Sequence, residues 1–137
     1  MQKEFELDIN QLEILTDCLK EIIIEDCIII LRGDLASGKT TLVKNYVNAL
    51  GLDDLVTSPT FSLQAIYSND IFHYDVYNKT LSEFISLGML EEFEKQGVHF
   101  VEWGDEKLEE ILNDYGYKVI LIEIEKKDNK RLYKINA

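Results

Sequence analysis

The sequence predicts an α/β fold: a mixed sheet with a parallel core and antiparallel hairpins, helices on both faces, and residues 1–137 as one domain. Three observations carry this reading. The continuous β-branched run Cys27-Ile28-Ile29-Ile30-Leu31 has the pattern of a strand buried on both faces of a largely parallel sheet. Helical periodicity alternates with buried strands early in the chain, whereas strand pairs around tight turns dominate later. The 137 residues are 46% hydrophobic with 7 Gly and 1 Pro, a composition that suits one compact core. A domain of this size buries roughly two thirds of its unfolded surface, enough to fold without a metal or disulfide staple.

Taken in order, Glu4 to Ile9 alternates with period two and predicts a half-buried edge strand, after which Asn10 and Glu13 have the spacing of a helix cap and its reciprocal partner. Leu12, Leu15, Cys18, Leu19, Ile22 and Ile23 then form one apolar helical stripe. The buried strand at Cys27–Leu31 leads into a glycine-bounded turn, Gly33 to Gly38. From Lys39 to Leu50 the apolar spacing is helical, with Gly51 as C-terminal cap. The only proline, Pro59, marks a loop, and Phe61–Tyr67 with Ile71–Tyr77 predict a hairpin about Ser68-Asn69-Asp70. Thr80 and Glu83 form a capping box that opens a short helix, which Gly88 breaks before a second helical piece, Met89–Lys95. Val98–Val101 is another buried-type strand and Glu106–Asp114 a charged helix. Lys118–Ile124 and Arg131–Ile135 close the chain as a strand pair.

The chemistry lies in Gly33-x-x-x-x-Gly38-Lys39-Thr40, the phosphate-binding loop pattern, here set between a buried strand and a helix as the mechanism requires. Backbone N–H groups from Gly33, Asp34, Leu35, Ala36, Ser37 and Gly38 through Thr41 would wrap phosphates, Lys39 would reach the β and γ oxygens, and the Thr40 hydroxyl would ligate Mg²⁺. The helix beginning at Lys39 aims its N-terminal dipole at the anion. Such a loop needs an acidic residue at a neighbouring strand end. Asp75 and Glu102 both qualify, because each interrupts an apolar or aromatic run, where a carboxylate needs a cation, a hydrogen-bond network or a cleft.

Charge and composition narrow the partners. Lys plus Arg number 14 against 26 Asp plus Glu, a formal net charge of -12, which repels the phosphate backbone and argues against DNA or autonomous RNA binding. Only Arg32 and Arg131 supply guanidinium groups, and their places, before the loop and in the last strand pair, make neither an obvious arginine finger. Cys18 and Cys27 sit in apolar surroundings without a CxxC pair, so zinc and disulfide roles are not expected. No apolar run approaches the ~18 residues of a membrane span. The acidic, alternating start has no apolar leader, so a cytoplasmic location is expected.

Together with Ser58-Pro59-Thr60-Phe61, His73-Tyr74-Asp75-Val76-Tyr77 and Val101-Glu102-Trp103, the segment from Gly33 to Thr41 resembles the TsaE (YjeE-like) family of small bacterial ATPases, over about Leu31 to Asp105. The resemblance implies a P-loop NTPase-like three-layer fold and an ATP- and Mg²⁺-dependent ATPase. It implies a role in forming threonylcarbamoyladenosine in tRNA with the TsaB–TsaD complex, which acts on an adenylate made by TsaC, so that tRNA is met only through the partner. By motif matching, Glu102 would be the metal-side carboxylate beside Thr40, and Asp75 would position the attacking water. Thr60 would sit in a switch-like loop near the γ-phosphate, and Trp103 near the nucleotide. The chain departs from the family where Ala36-Ser37 replaces the usual Gly-Ala, and where Asn78-Lys79 replaces the usual Arg-Leu. The alternative is a small-molecule kinase, in which Asp75 would act as base to an acceptor hydroxyl; the lack of an Arg-rich lid weighs against it. The guanine-reading Asn-Lys-x-Asp pattern is absent.

Overall fold

A computed structural model describes residues 1–137. Seven strands form one sheet in the order β1-β7-β6-β2-β5-β4-β3: β1 (Gln2–Leu7), β2 (Cys27–Arg32), β3 (Gln64–Tyr67), β4 (Ile71–Asp75), β5 (Val98–Glu102), β6 (Val119–Lys127) and β7 (Lys130–Asn136). The helices are α1 (Leu12–Ile22), α2 (Lys39–Ala49), α3 (Leu81–Ser86), α4 (Met89–Glu92) and α5 (Glu106–Asp114). Strands β6, β2, β5 and β4 run parallel, and the antiparallel pairs β6–β7, β7–β1 and β3–β4 flank them. This is the expected mixed sheet with a parallel core.

The central strand explains the layering. Alternate residues of β2 face opposite ways: Cys27, Ile29 and Leu31 join Leu15, Leu19, Leu42, Val43 and Val47 under α1 and α2. Ile28 and Ile30 join Phe84, Phe93, Leu108 and Leu112 under α3, α4 and α5. The result is three layers, with the β-branched run buried on both sides. No helix is long and apolar enough to cross a membrane.

The structure corrects several boundaries. The first cap is Asp8, whose carboxylate accepts from Asn10 N at 2.8 Å while Gln11 reaches back to Asp8 N at 3.0 Å. Asn10 and Glu13 do not form it, because a single 3-10 turn intervenes before α1. β3 starts at Gln64 rather than Phe61, since Leu63 N donates to Pro59 O at 2.8 Å and closes a turn with Leu63 at φ 67°. Phe61 is left fully exposed. β4 ends at Asp75, two residues before Tyr77, where the Asp75 carboxylate accepts from Tyr77 N at 3.0 Å and bends the chain. The second helical piece is one turn, Met89–Glu92.

Register aligns the chemistry. Leu31 pairs with Glu102, and Glu102 pairs with Asp75, so both carboxylates and the loop after β2 lie at the carboxyl end of the parallel strands. Open α/β sheets place their ligands at that end.

Candidate nucleotide site

The loop after β2 is held in shape by its own backbone. Gly33 has no room for a side chain, since a Cβ there would lie 2.6 Å from Ser37 Oγ and 2.7 Å from Ile124 O. Gly38 turns the chain into α2 at φ 109°, which an L side chain resists. Ala36 adopts φ 58° despite its Cβ. Ser37 is buried whereas Leu35 is exposed. At the first turn of α2, Lys39 is only 4% exposed; its Nζ donates to Gly33 O at 2.7 Å and Asp34 O at 3.0 Å and lies 3.8 Å from the centroid of the Trp103 ring. Burial pulls this ammonium below its ordinary value, against the opposing pull of Glu102, Asp75 and Asp34. An anion in the loop would restore a partner to that charge.

Next along α2, the Thr40 hydroxyl donates to Glu102 Oε2 at 2.7 Å. The same oxygen contacts His73 Nε2 at 2.5 Å, and His73 Nδ1 lies 2.9 Å from the Tyr67 hydroxyl. Glu102 Oε1 has no protein partner yet is not sealed from solvent, and the residue lines the cleft. A hydroxyl beside a carboxylate with one open oxygen is a donor set for a hard cation such as Mg²⁺, which keeps waters and takes phosphate oxygens for the rest of its shell. The residues therefore fit Mg²⁺.

Asp75 is tied to the segment after α2. Its Oδ2 accepts from Ser58 Oγ at 2.8 Å and Thr60 Oγ1 at 3.1 Å. The carboxylate thus latches the Ser58–Thr60 loop over the cleft. Trp103 takes φ 69° as β5 ends, and its ring packs against Tyr77 with centroids 4.6 Å apart.

These groups surround one cleft of about 690 Å³. Of the residues singled out from sequence, Leu35, Ala36, Ser37, Gly38, Lys39, Thr40, Thr41, Thr60, Asp75, Glu102 and Trp103 line it. Gly33 and Asp34 do not; they face a second hollow on the far side of the loop and serve the cleft through their carbonyl bonds to Lys39. The sequence reading missed the opposite wall, made by Leu7, Ile9, Arg131 and Tyr133. Arg131 was given no place near the loop, yet its Nε donates to Ser37 O at 3.0 Å. No spacing rule links positions 94 residues apart; only the scarcity of arginine marked it.

Known proteins resemble this chain in sequence and in fold. A TsaE protein of tRNA threonylcarbamoyladenosine biosynthesis from Treponema pallidum (strain Nichols) is 38% identical over 90 residues, covering 64% of this chain and 67% of the relative. One from Bacillus subtilis (strain 168) is 40% identical over 79 residues, covering 56% and 49%. One from Streptomyces coelicolor is 34% identical over 100 residues, covering 64% and 63%. The matches thus span from about half to two thirds of these relatives' lengths. The crystal structure of Bacillus subtilis YdiB superposes with a TM-score of 0.70 at 24% identity, covering 100% of this chain and 86% of that one, and shares the fold. The family model described as threonylcarbamoyl adenosine biosynthesis protein TsaE matches residues 7–133, nearly the whole chain, and the protein belongs to the TsaE family.

Proposed function

We propose that residues 1–137 act as one cytoplasmic unit that binds ATP with Mg²⁺ and hydrolyses it, serving threonylcarbamoyladenosine formation in tRNA by coupling to the TsaB–TsaD complex. The observation that carries the reading is the convergence of Lys39, Thr40, Glu102 and Asp75 on one cleft at the carboxyl end of the parallel strands. Family membership adds the tRNA-modification setting.

In this mechanism the backbone N–H groups of the loop and the α2 N-terminus hold the phosphates, and Lys39 exchanges its carbonyl partners for phosphate oxygens. Thr40 and Glu102 would hold Mg²⁺, which when bound neutralises charge on the phosphate oxygens. Asp75, released from Ser58 and Thr60, orients the attacking water, and Thr60 then meets the γ-phosphate as switch loops do. Trp103 packs beside the nucleotide. Neither arginine is poised as a finger: Arg32 Nη2 bonds Glu109 Oε1 at 2.8 Å, and Arg131 is anchored through Nε and Nη1 to the Ser37 and Lys130 carbonyls. A missing finger costs ~10³ to 10⁵ in rate, so turnover is slow alone and rises when a partner completes the charge clamp. The partner also carries the tRNA, because this acidic surface repels it.

The test is product analysis with ATP and Mg²⁺, using Lys39→Ala as the blank. Inorganic phosphate as the only product supports an ATPase. Phosphate appearing on an added small hydroxyl compound instead would replace this reading with the kinase alternative.

A further inference from the structure

We infer that His73, itself held by Tyr67, is a positioning residue that fixes Glu102 for the divalent cation, a role that rests on the nucleotide-site reading above. Both side chains are buried: His73 has no exposed surface and Tyr67 only 8%. Glu102 Oε2 accepts two protein hydrogen bonds, from Thr40 Oγ1 at 2.7 Å and from His73 Nε2 at 2.5 Å. An ionised carboxylate only accepts, so Nε2 carries the donated proton. The other ring nitrogen, Nδ1, lies 2.9 Å from the Tyr67 hydroxyl, which fixes the plane of the ring. The same hydroxyl reaches Thr57 O at 3.4 Å, a longer and weaker contact.

The arrangement has a directional consequence. With Oε2 saturated by fixed donors, Oε1 is the oxygen that stays open at the cleft, so the carboxylate presents one face to the cation without rotating. Strand register enforces this. His73 and Asp75, two apart on β4, share one face of the sheet beside β5; Asp75 lines the cleft, while His73 lies buried against Glu102. Tyr67 closes the hairpin from β3 and adjoins Thr57, the residue before the Ser58–Thr60 latch. The chain Tyr67–His73–Glu102–Thr40 therefore joins the cation corner to the base of the loop that Asp75 holds. Hydrogen bonds behind a metal ligand raise affinity by fixing its orientation, and their loss costs ~10 to 100-fold.

Mn²⁺ affinity, measured by electron paramagnetic resonance with a non-hydrolysable ATP analogue on the full chain, tests this. Metal-free affinity for the analogue is measured alongside. His73→Phe is expected to weaken Mn²⁺ binding ~10-fold and leave metal-free analogue affinity unchanged. His73→Gln, whose amide nitrogen replaces the Nε2 donor, is expected to recover most of the loss. Wild-type Mn²⁺ affinity in His73→Phe overturns the inference, as does an equal loss of metal-free binding, which marks a general packing role. If His73→Phe does not fold, Tyr67→Phe decides: weaker Mn²⁺ binding supports the relay and an unchanged value overturns it. A wild-type protein that takes up no Mn²⁺ with the analogue overturns the nucleotide-site reading itself, and this inference with it.

Discussion

Ala36 stands in the phosphate loop at φ 58°, a left-handed conformation that costs an L-residue roughly 1–2 kcal/mol. Ala36→Gly removes that cost and adds chain entropy to the unfolded state, so a net stabilisation of about 0.5–1 kcal/mol is expected in urea unfolding. A loss of stability would mean that the loop's conformation is not intrinsic to the folded chain. At Asp75 the expectation is functional. Its carboxylate accepts from Ser58, Thr60 and the Tyr77 backbone, and Asp75→Ala should lower hydrolysis by ~10² or more while nucleotide affinity stays near wild type. Equal losses in both would reduce Asp75 to a fastener of the loop. These residues were legible because the Gly-Lys-Thr pattern and the acidic strand ends are local signals. His73 was not assigned a partner, since a histidine in a strand carries no mark of what lies across the next strand.

Among the elements, the turn that follows α4 is held against the sheet through His99 on β5. Its Nε2 lies 2.8 Å from Lys95 O, its Nδ1 2.7 Å from the Tyr74 hydroxyl, and its ring stacks on Phe72 at 4.3 Å. Burial lowers its pKa from the ordinary 6.5, although Asp26 and Glu92 pull upward. Below that ordinary value the unfolded chain takes a proton that the native protein refuses, so stability is full above it and falls as pH drops towards the native value. Unfolding free energy should therefore fall as the pH is lowered from about 7.5 to 5.5. In His99→Gln that slope should flatten, and a slope identical to wild type would contradict the assignment. Most elements were legible from periodicity and capping residues, and the Thr80–Glu83 box is present as expected. The misplaced boundaries fall where side chains compete for backbone groups: Asp8 takes the cap from Asn10, and Asp75 ends β4 by binding Tyr77 N.

Over the whole molecule, the parallel core could be read from one β-branched run, because a strand covered on both faces needs no polar alternation. The far wall of the cleft could not. Leu7, Ile9, Arg131 and Tyr133 reach the loop only after β1 and β7 pair across the sheet, joining Leu7 to Arg131. The net charge of -12 also acts at this scale. Docking on a basic partner surface should weaken steeply between about 0.05 and 0.5 M salt, as the Debye length shrinks, and a salt-independent dissociation constant would exclude electrostatic docking. The central claim, an ATPase completed by its partner, is tested most directly by phosphate release from ATP and Mg²⁺ with and without the TsaB–TsaD complex and tRNA. Slow release alone, rising at least ~10-fold with the complex and absent in Lys39→Ala, is the predicted result. Release that is fast alone and indifferent to the complex would contradict it.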